Sequence, residues 1–170
     1  MRKTILIFYL LAFLTSFGQK HFKFSFEDGK DEIVTASDLR NQILEELQQN
    51  LQQLNQQTPI YIDELTTLVS AAVNGTTINF NYKVNLDSNN LDVAAINEFN
   101  NITKQVQIEN LCNLFKQNED KMPITEWIRL YDELGIKYKY NYFDEKGLVW
   151  DVIIIDMHDL NKFITKSIFY

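Results

Sequence analysis

The chain has 170 residues, 45% of them hydrophobic, which is enough for one domain with a substantial core. Its 16 basic and 23 acidic residues leave a net charge of −7. That argues against nucleic acid and anionic membrane surfaces as partners, because both select for basic patches. The single cysteine, Cys112, excludes an intrachain disulfide, so packing alone must hold the domain together.

The first residues carry the pattern of a targeting segment. Arg2 and Lys3 form a positive start, and Ile5 to Thr15 is an apolar run. Ser16-Phe17-Gly18 then puts small residues three and one before a cut ahead of Gln19. Eleven residues of helix span about 17 Å, well short of the roughly 30 Å hydrocarbon core of a bilayer. Residues 1–18 are therefore expected to be a signal peptide and residues 19–170 a single α+β domain, exported to the periplasm or the medium and soluble after cleavage. Loss of Arg2 and Lys3 would take the charge of that domain to −9.

His21 to Phe26 alternates, with Phe22, Phe24 and Phe26 on one side, and predicts a short strand that must dock on something. A helix is expected from Asp38 to Gln57, capped by Ser37, with Leu39, Ile43, Leu47, Leu51 and Leu54 as its apolar stripe and Thr58-Pro59 as its stop. Asn74-Gly75 then suits a two-residue type I′ hairpin turn. With Val73 set opposite Thr76, Ala71 faces Ile78, Val69 faces Phe80, Thr67 faces Tyr82 and Leu65 faces Val84. The other face, with Thr66, Ser70, Asn79, Asn81, Lys83 and Asn85, is expected to be wet.

A long helix is predicted from a cap at Ser88 or Asn89 through Lys116, with a break in apolar phase near Gln107. Cys112 falls on its apolar face beside Leu111 and Phe115 and is expected to be a buried, structural thiol. Pro123 opens another helix at its first position, and Gly135 closes it. Ile136 to Asp156 is a second hairpin, turning at Asp144-Glu145-Lys146-Gly147. If Asp144 faces Leu148, Tyr142 faces Trp150, Tyr140 faces Val152 and Tyr138 faces Ile154. That register leaves Asp151, Ile153 and Ile155 on the outer face with Lys137, Lys139 and Asn141, where the isoleucines would need a cover: the apolar tail Phe163 to Tyr170, which is favoured, the N-terminal Phe strand, or a partner.

The order of helix, hairpin, helices, hairpin implies an α+β fold in which two antiparallel β-hairpins form one antiparallel sheet covered by long helices. In element order it resembles cystatin-like and NTF2-like folds, where a curved sheet wraps a helix. That resemblance is in order alone and implies no activity.

The residues carry little that names a reaction. Gly-x-Gly phosphate loops and Gly-x-Ser-x-Gly elbows are missing, and no cofactor or metal ligand set is predicted. Asp156-Met157-His158-Asp159 alone combines a carboxylate with an imidazole, which can make a general base or half a metal site. The primary expectation is an exported, non-catalytic binding domain for a protein or a small apolar ligand. The alternative is a small hydrolase or isomerase using Asp156 and His158. The first test is of processing: N-terminal sequencing of the exported protein should find Gln19, free or cyclised to pyroglutamate. An intact Met1 in a membrane fraction would contradict soluble export.

Overall fold

The computed structural model describes residues 36–86, 92–117 and 123–168. The expected signal peptide and the Phe22–Phe26 strand lie outside the described residues, as do Ser88 and Asn89. Within them run α1 (Ala36–Asn55), β1 (Ile60–Tyr61), β2 (Thr66–Asn74), β3 (Thr77–Val84), α2 (Val93–Lys116), α3 (Ile124–Glu133), β4 (Lys137–Phe143), β5 (Val149–Ile155) and α4 (Met157–Ile168). The strands form one sheet in the order β1-β2-β3-β4-β5. The architecture is α+β, with two antiparallel hairpins in one sheet and helices over it. The hairpins meet through a parallel β3–β4 pair, so the sheet is mixed and not the antiparallel sheet expected: the two helices between β3 and β4 carry the chain back to the start of β3 before β4 begins.

Alternation in β4 puts Tyr138, Tyr140 and Tyr142 on one face, and the parallel register sets Phe80 beside Tyr140 and Tyr82 beside Tyr142. Their rings stack at centroid distances of 5.3 Å for Phe80–Tyr140 and 5.3 Å for Tyr82–Tyr142. Pairs of this kind add about 0.5–1.5 kcal/mol each beyond the area they bury. All four helices contribute to the core on this face: Leu47 and Leu51 from α1, Leu111, Cys112 and Phe115 from α2, Trp127 and Tyr131 from α3, Leu160 from α4. Cys112 is buried, as expected, and burial pushes its thiol up to about 11, so it is an unreactive core side chain.

Both hairpins depart from the expected register. In the first, the turn is Gly75-Thr76 with Asn74 opposite Thr77; Gly75 has φ +59° and Thr76 a negative φ, the pattern of a type II′ turn and not of type I′. Val73 therefore faces Ile78 and Ala71 faces Phe80. This two-residue offset keeps every side chain on its expected face until Val69, which is an extra, bulged residue. Beyond it the parity reverses: Leu68 and Thr66 turn inward and are buried, while Val69 is exposed. Leu65 lies outside β2, in a turn where the Asp63 carboxylate accepts from the N–H groups of Leu65 (2.8 Å) and Thr66 (2.7 Å).

In the second hairpin the turn is as expected. Asp144 N–H donates to the Leu148 carbonyl at 2.9 Å, and Gly147 takes φ +80°. A bulge at Trp150 then shifts the pairing by one, so that Tyr142 faces Asp151, Tyr140 faces Ile153 and Tyr138 faces Ile155. Ile153 and Ile155 are thus core residues, 5% and 0% exposed, and need no cover; Val152 and Ile154 face outward instead. The apolar run Val152 to Ile155 fits either parity, and burial of the Trp150 ring against Phe99 (4.8 Å) and Tyr142 (6.5 Å) goes with the shifted one. As far as Ile168, the tail expected to cover the sheet's outer face is α4, whose Met157, Leu160 and Ile164 pack into the core; Phe169 and Tyr170 lie outside the described residues.

Helix boundaries move for identifiable reasons. Ser37 falls inside α1, not at its cap. Asp92 caps α2, its carboxylate accepting from Ala95 N–H at 2.7 Å, and the helix runs uninterrupted through Gln107. Pro123 is the N-cap residue of α3 and not its first helical position. Gly135, with φ +68°, follows the α3 C-cap as expected.

Each open side of the sheet carries a feature that hinders strand addition. At the β2 side, where β1 pairs only over two residues, the Asn55 side chain accepts from Ala71 N–H (2.7 Å) and donates to the Ala71 carbonyl (2.6 Å). One amide thus stands in for the missing strand and ties the end of α1 to the sheet. At the β5 side, the Asp151 carboxylate turns inward and accepts from Val152 N–H at 2.8 Å, next to the Trp150 bulge; an inward charge and a bulge are both devices that discourage strand addition. Replacing Asn55 with Ala should leave two buried backbone groups unpaired and lower the unfolding free energy by about 1–3 kcal/mol in urea titrations. A change within 0.5 kcal/mol would show that water takes over both bonds.

Candidate functional site: the uncovered face of the sheet

The Asp156–His158 pair of the alternative reading is not joined by a hydrogen bond. Asp156 and Asp159 form a reciprocal cap at the start of α4. Asp159 N–H donates to the Asp156 carboxylate at 3.1 Å, and Asp156 N–H reaches the Asp159 carboxylate at 3.4 Å. Asp159 also pairs with Lys104 of α2 at 2.9 Å, which fixes α4 against α2. His158 is exposed in the first turn of α4, and no hydrogen bond or ion pair joins it to Asp156 among the described residues. No group of three or more His, Cys, Asp or Glu suited to a metal occurs among the described residues.

The opposite face of the sheet is different in kind. No helix among the described residues lies over it. Alternation gives it Ser70, Ala72 and Asn74 from β2, then Thr77, Asn79, Asn81 and Lys83 from β3. β4 adds Lys137, Lys139, Asn141 and Phe143, and β5 adds Val149, Val152 and Ile154. The expectation that Asn79, Asn81, Lys83, Lys137, Lys139 and Asn141 face outward is met. The centre of the face is a polar ladder across three strands: the Asn141 amide donates to Asn81 Oδ1 at 2.9 Å, and the Asn81 amide donates to Ser70 Oγ at 2.8 Å.

Charge is distributed unevenly over this sheet. β2 to β5 contain three lysines and one carboxylate, and that carboxylate, Asp151, points inward. The outer face therefore holds Lys83, Lys137 and Lys139 with no strand carboxylate, in a chain of net charge −7. Beside the lysines runs an apolar strip on β5, with Val149 55%, Val152 41% and Ile154 52% exposed. At one corner the Asp144–Gly147 turn walls a shallow concavity of about 470 Å³, floored by Ser70, Asn81, Lys83 and Phe143. This surface could be found in the sequence by asking where acidic residues are missing from strands, a signal that periodicity does not register.

On the inner side, β5 meets α2 through a buried polar cluster. Gln107 lies beside the Tyr142 hydroxyl and Asn100 beside the Asp151 carboxylate. Yet Gln107 Nε2, Tyr142 Oη, Asn100 Oδ1, Trp150 Nε1 and Asp151 Oδ2 have no hydrogen bond of good geometry to protein. Burial raises the Asp151 pKa above the ordinary carboxylate value, only partly offset by the Val152 N–H and Asn100. Burial, and then Tyr82, likewise pushes the Tyr142 hydroxyl upward.

No family model matches the chain, and no curated relative matches it. Three solved structures are similar to it. The type II secretion system pilotin AspS from Vibrio cholerae is 20% identical, with a TM-score of 0.43 over 74% of this chain and 99% of that one. The type 2 secretion system pilotin EpsS from Vibrio vulnificus is 10% identical, with a TM-score of 0.44 over 73% and 96%. A candidate secreted protein from Pseudomonas aeruginosa is 11% identical, with a TM-score of 0.43 over 77% and 99%. Such scores and identities leave function to the chain's own geometry.

The Asp151 shift has a definite sign. A carboxyl whose folded pKa lies above its unfolded value near 3.9 binds protons more tightly when folded, so its contribution to stability is greatest in acid and declines as pH rises through that window. Asp151→Asn keeps an acceptor for Val152 N–H and removes the titration. Relative to the parent protein, the variant should gain stability between pH 4 and pH 7 in denaturant titrations; a difference that does not vary with pH would refute the assignment.

Proposed function

We propose that the chain is an exported, non-catalytic interaction domain that binds a protein through the uncovered face of its sheet. Export rests on the pattern of residues 1–18. The observation that carries the binding role is the face itself. Among the described residues, helices fill one side of the sheet, Asn55 and Asp151 obstruct strand addition at its edges, and the remaining side presents lysines next to exposed Val149, Val152 and Ile154. A small apolar ligand suits it less well, because the concavity at its corner is rimmed by Lys83, Glu145 and Lys146. For a small hydrolase or isomerase, Asp156 is engaged as a helix cap and His158 stands in the open.

The test compares variants in a strain lacking the chromosomal copy. Lys139→Glu combined with Ile154→Asp alters only the outer face, so export and thermal midpoint should be retained while complementation fails. His158→Ala should complement fully, and Asp156→Ala should cost about 1 kcal/mol of stability as a lost cap without abolishing function. Full complementation by the face variant, or its loss with His158→Ala, would reverse the assignment.

A further inference from the structure

The charge and shape of the uncovered face specify the class of partner. We infer that the face receives an acidic amphipathic helix of another protein, laid along β4 and β5, with its apolar residues on Val149, Val152 and Ile154 and its carboxylates on Lys137, Lys139 and Lys83. This rests on the reading of the chain as an interaction domain and narrows it.

Three observations lead to a helix of that charge. First, both edges carry obstacles to an added strand. The Asn55 amide occupies the backbone of Ala71 on one side, and the Trp150 bulge with the inward Asp151 disrupts the other. A partner of the sheet is therefore expected on its face and not at its edges. Second, the four strands β2 to β5 at about 4.8 Å spacing make a surface roughly 14 Å wide, close to the 10–12 Å diameter of one helix. Third, the pairing register orders the chemistry in rows. Ile154 lies next to Lys139, which lies next to Asn79; Val152 lies next to Asn141, which lies next to Asn81. An apolar margin on β5 is thus followed by a cationic band on β4, with Lys137 a further step along that strand. A helix with apolar residues at i, i+3 or i+4 and i+7, and Asp or Glu on the adjoining flank, meets both in a single orientation.

The same charges select against other occupants. A second copy of this chain would bring lysines against lysines across a two-fold axis.

The experiment is site-specific photo-crosslinking in the native host, with a photoreactive phenylalanine analogue replacing Asn79 or Val152 on the face, or Arg129 on exposed α3. The linked peptide is then sequenced. The expected result is a link from the face positions and not from position 129, to a segment of another protein rich in Asp and Glu with apolar residues at helical spacing. That segment, made synthetically, should gain helical circular dichroism on titration with the protein. Lys137→Glu with Lys139→Glu should weaken its binding at least about tenfold, and more so at low salt. A linked segment that is basic, or that stays extended in the complex, overturns the acidic-helix assignment while leaving the interaction domain standing. Links from position 129 alone move the interface to the helices. Links only to a second copy or to phospholipid, or no links at all, overturn both.

Discussion

The parallel pairing of β3 with β4 is the joint on which the molecule depends. Each hairpin alone is a two-stranded ribbon, marginal in water, and only their union makes a sheet wide enough to carry four helices. The union is formed between strands separated by two helices in sequence, so its entropic cost cannot be recovered locally. The stacked rings of Phe80, Tyr82, Tyr140 and Tyr142 run across the joint on the covered face. They fix the register, because sliding one strand by a residue would turn the tyrosines of β4 to the outer face and Lys139 into the core. The Asn81–Asn141 bond fixes the same register from the outer side.

From that joint follows the division between the two faces. The covered face takes nearly all the large apolar and aromatic side chains, and the helices are anchored to it at their ends as well as along their stripes. Asn55 binds α1 to the edge of β2; Lys104 and Asp159 bind α2 to α4. The capping pair Asp156 and Asp159 starts α4 directly as β5 ends, so the last strand turns into a helix that packs back on the core. What resembles catalytic chemistry in the sequence is thus the carboxylate chemistry of a helix start. The other face keeps the polar half of each strand. Its cationic bias is concealed in the total charge, because acidic residues are concentrated on helices and loops while the strands hold almost none.

The inward turn of Asp151 shows how two needs compete at one position. It satisfies an edge N–H and discourages strand addition, yet it places a carboxylate in a buried polar cluster with unpaired neighbours. Desolvation raises its pKa, and the group is a strain the fold carries near α2.

Read alone, the chain specifies neither the short β1 nor the helix α4, but it does specify three of the helices, the two hairpins, the α+β class, the buried Cys112 and the outward set Asn79, Asn81, Lys83, Lys137, Lys139 and Asn141. Those follow from periods of 2 and 3.6 residues and from local turn and cap chemistry, which short stretches of chain specify. Tertiary structure decided the rest. The bulges at Val69 and Trp150 reversed the parity of part of each hairpin, burying Thr66 and Ile153 and exposing Val69 and Ile154, since Val-Ile-Ile-Ile satisfies either parity and only the packing of Trp150 on Phe99 discriminates. The tail's helix starts directly where β5 ends, with Met157, Leu160 and Ile164 at helical spacing, and its place against α2 and α3 is set only in the folded chain; the parallel joint could not be seen because parallel pairing is a contact between distant strands. A period records which residues share a side, but which side is covered depends on what the remainder of the chain brings to it.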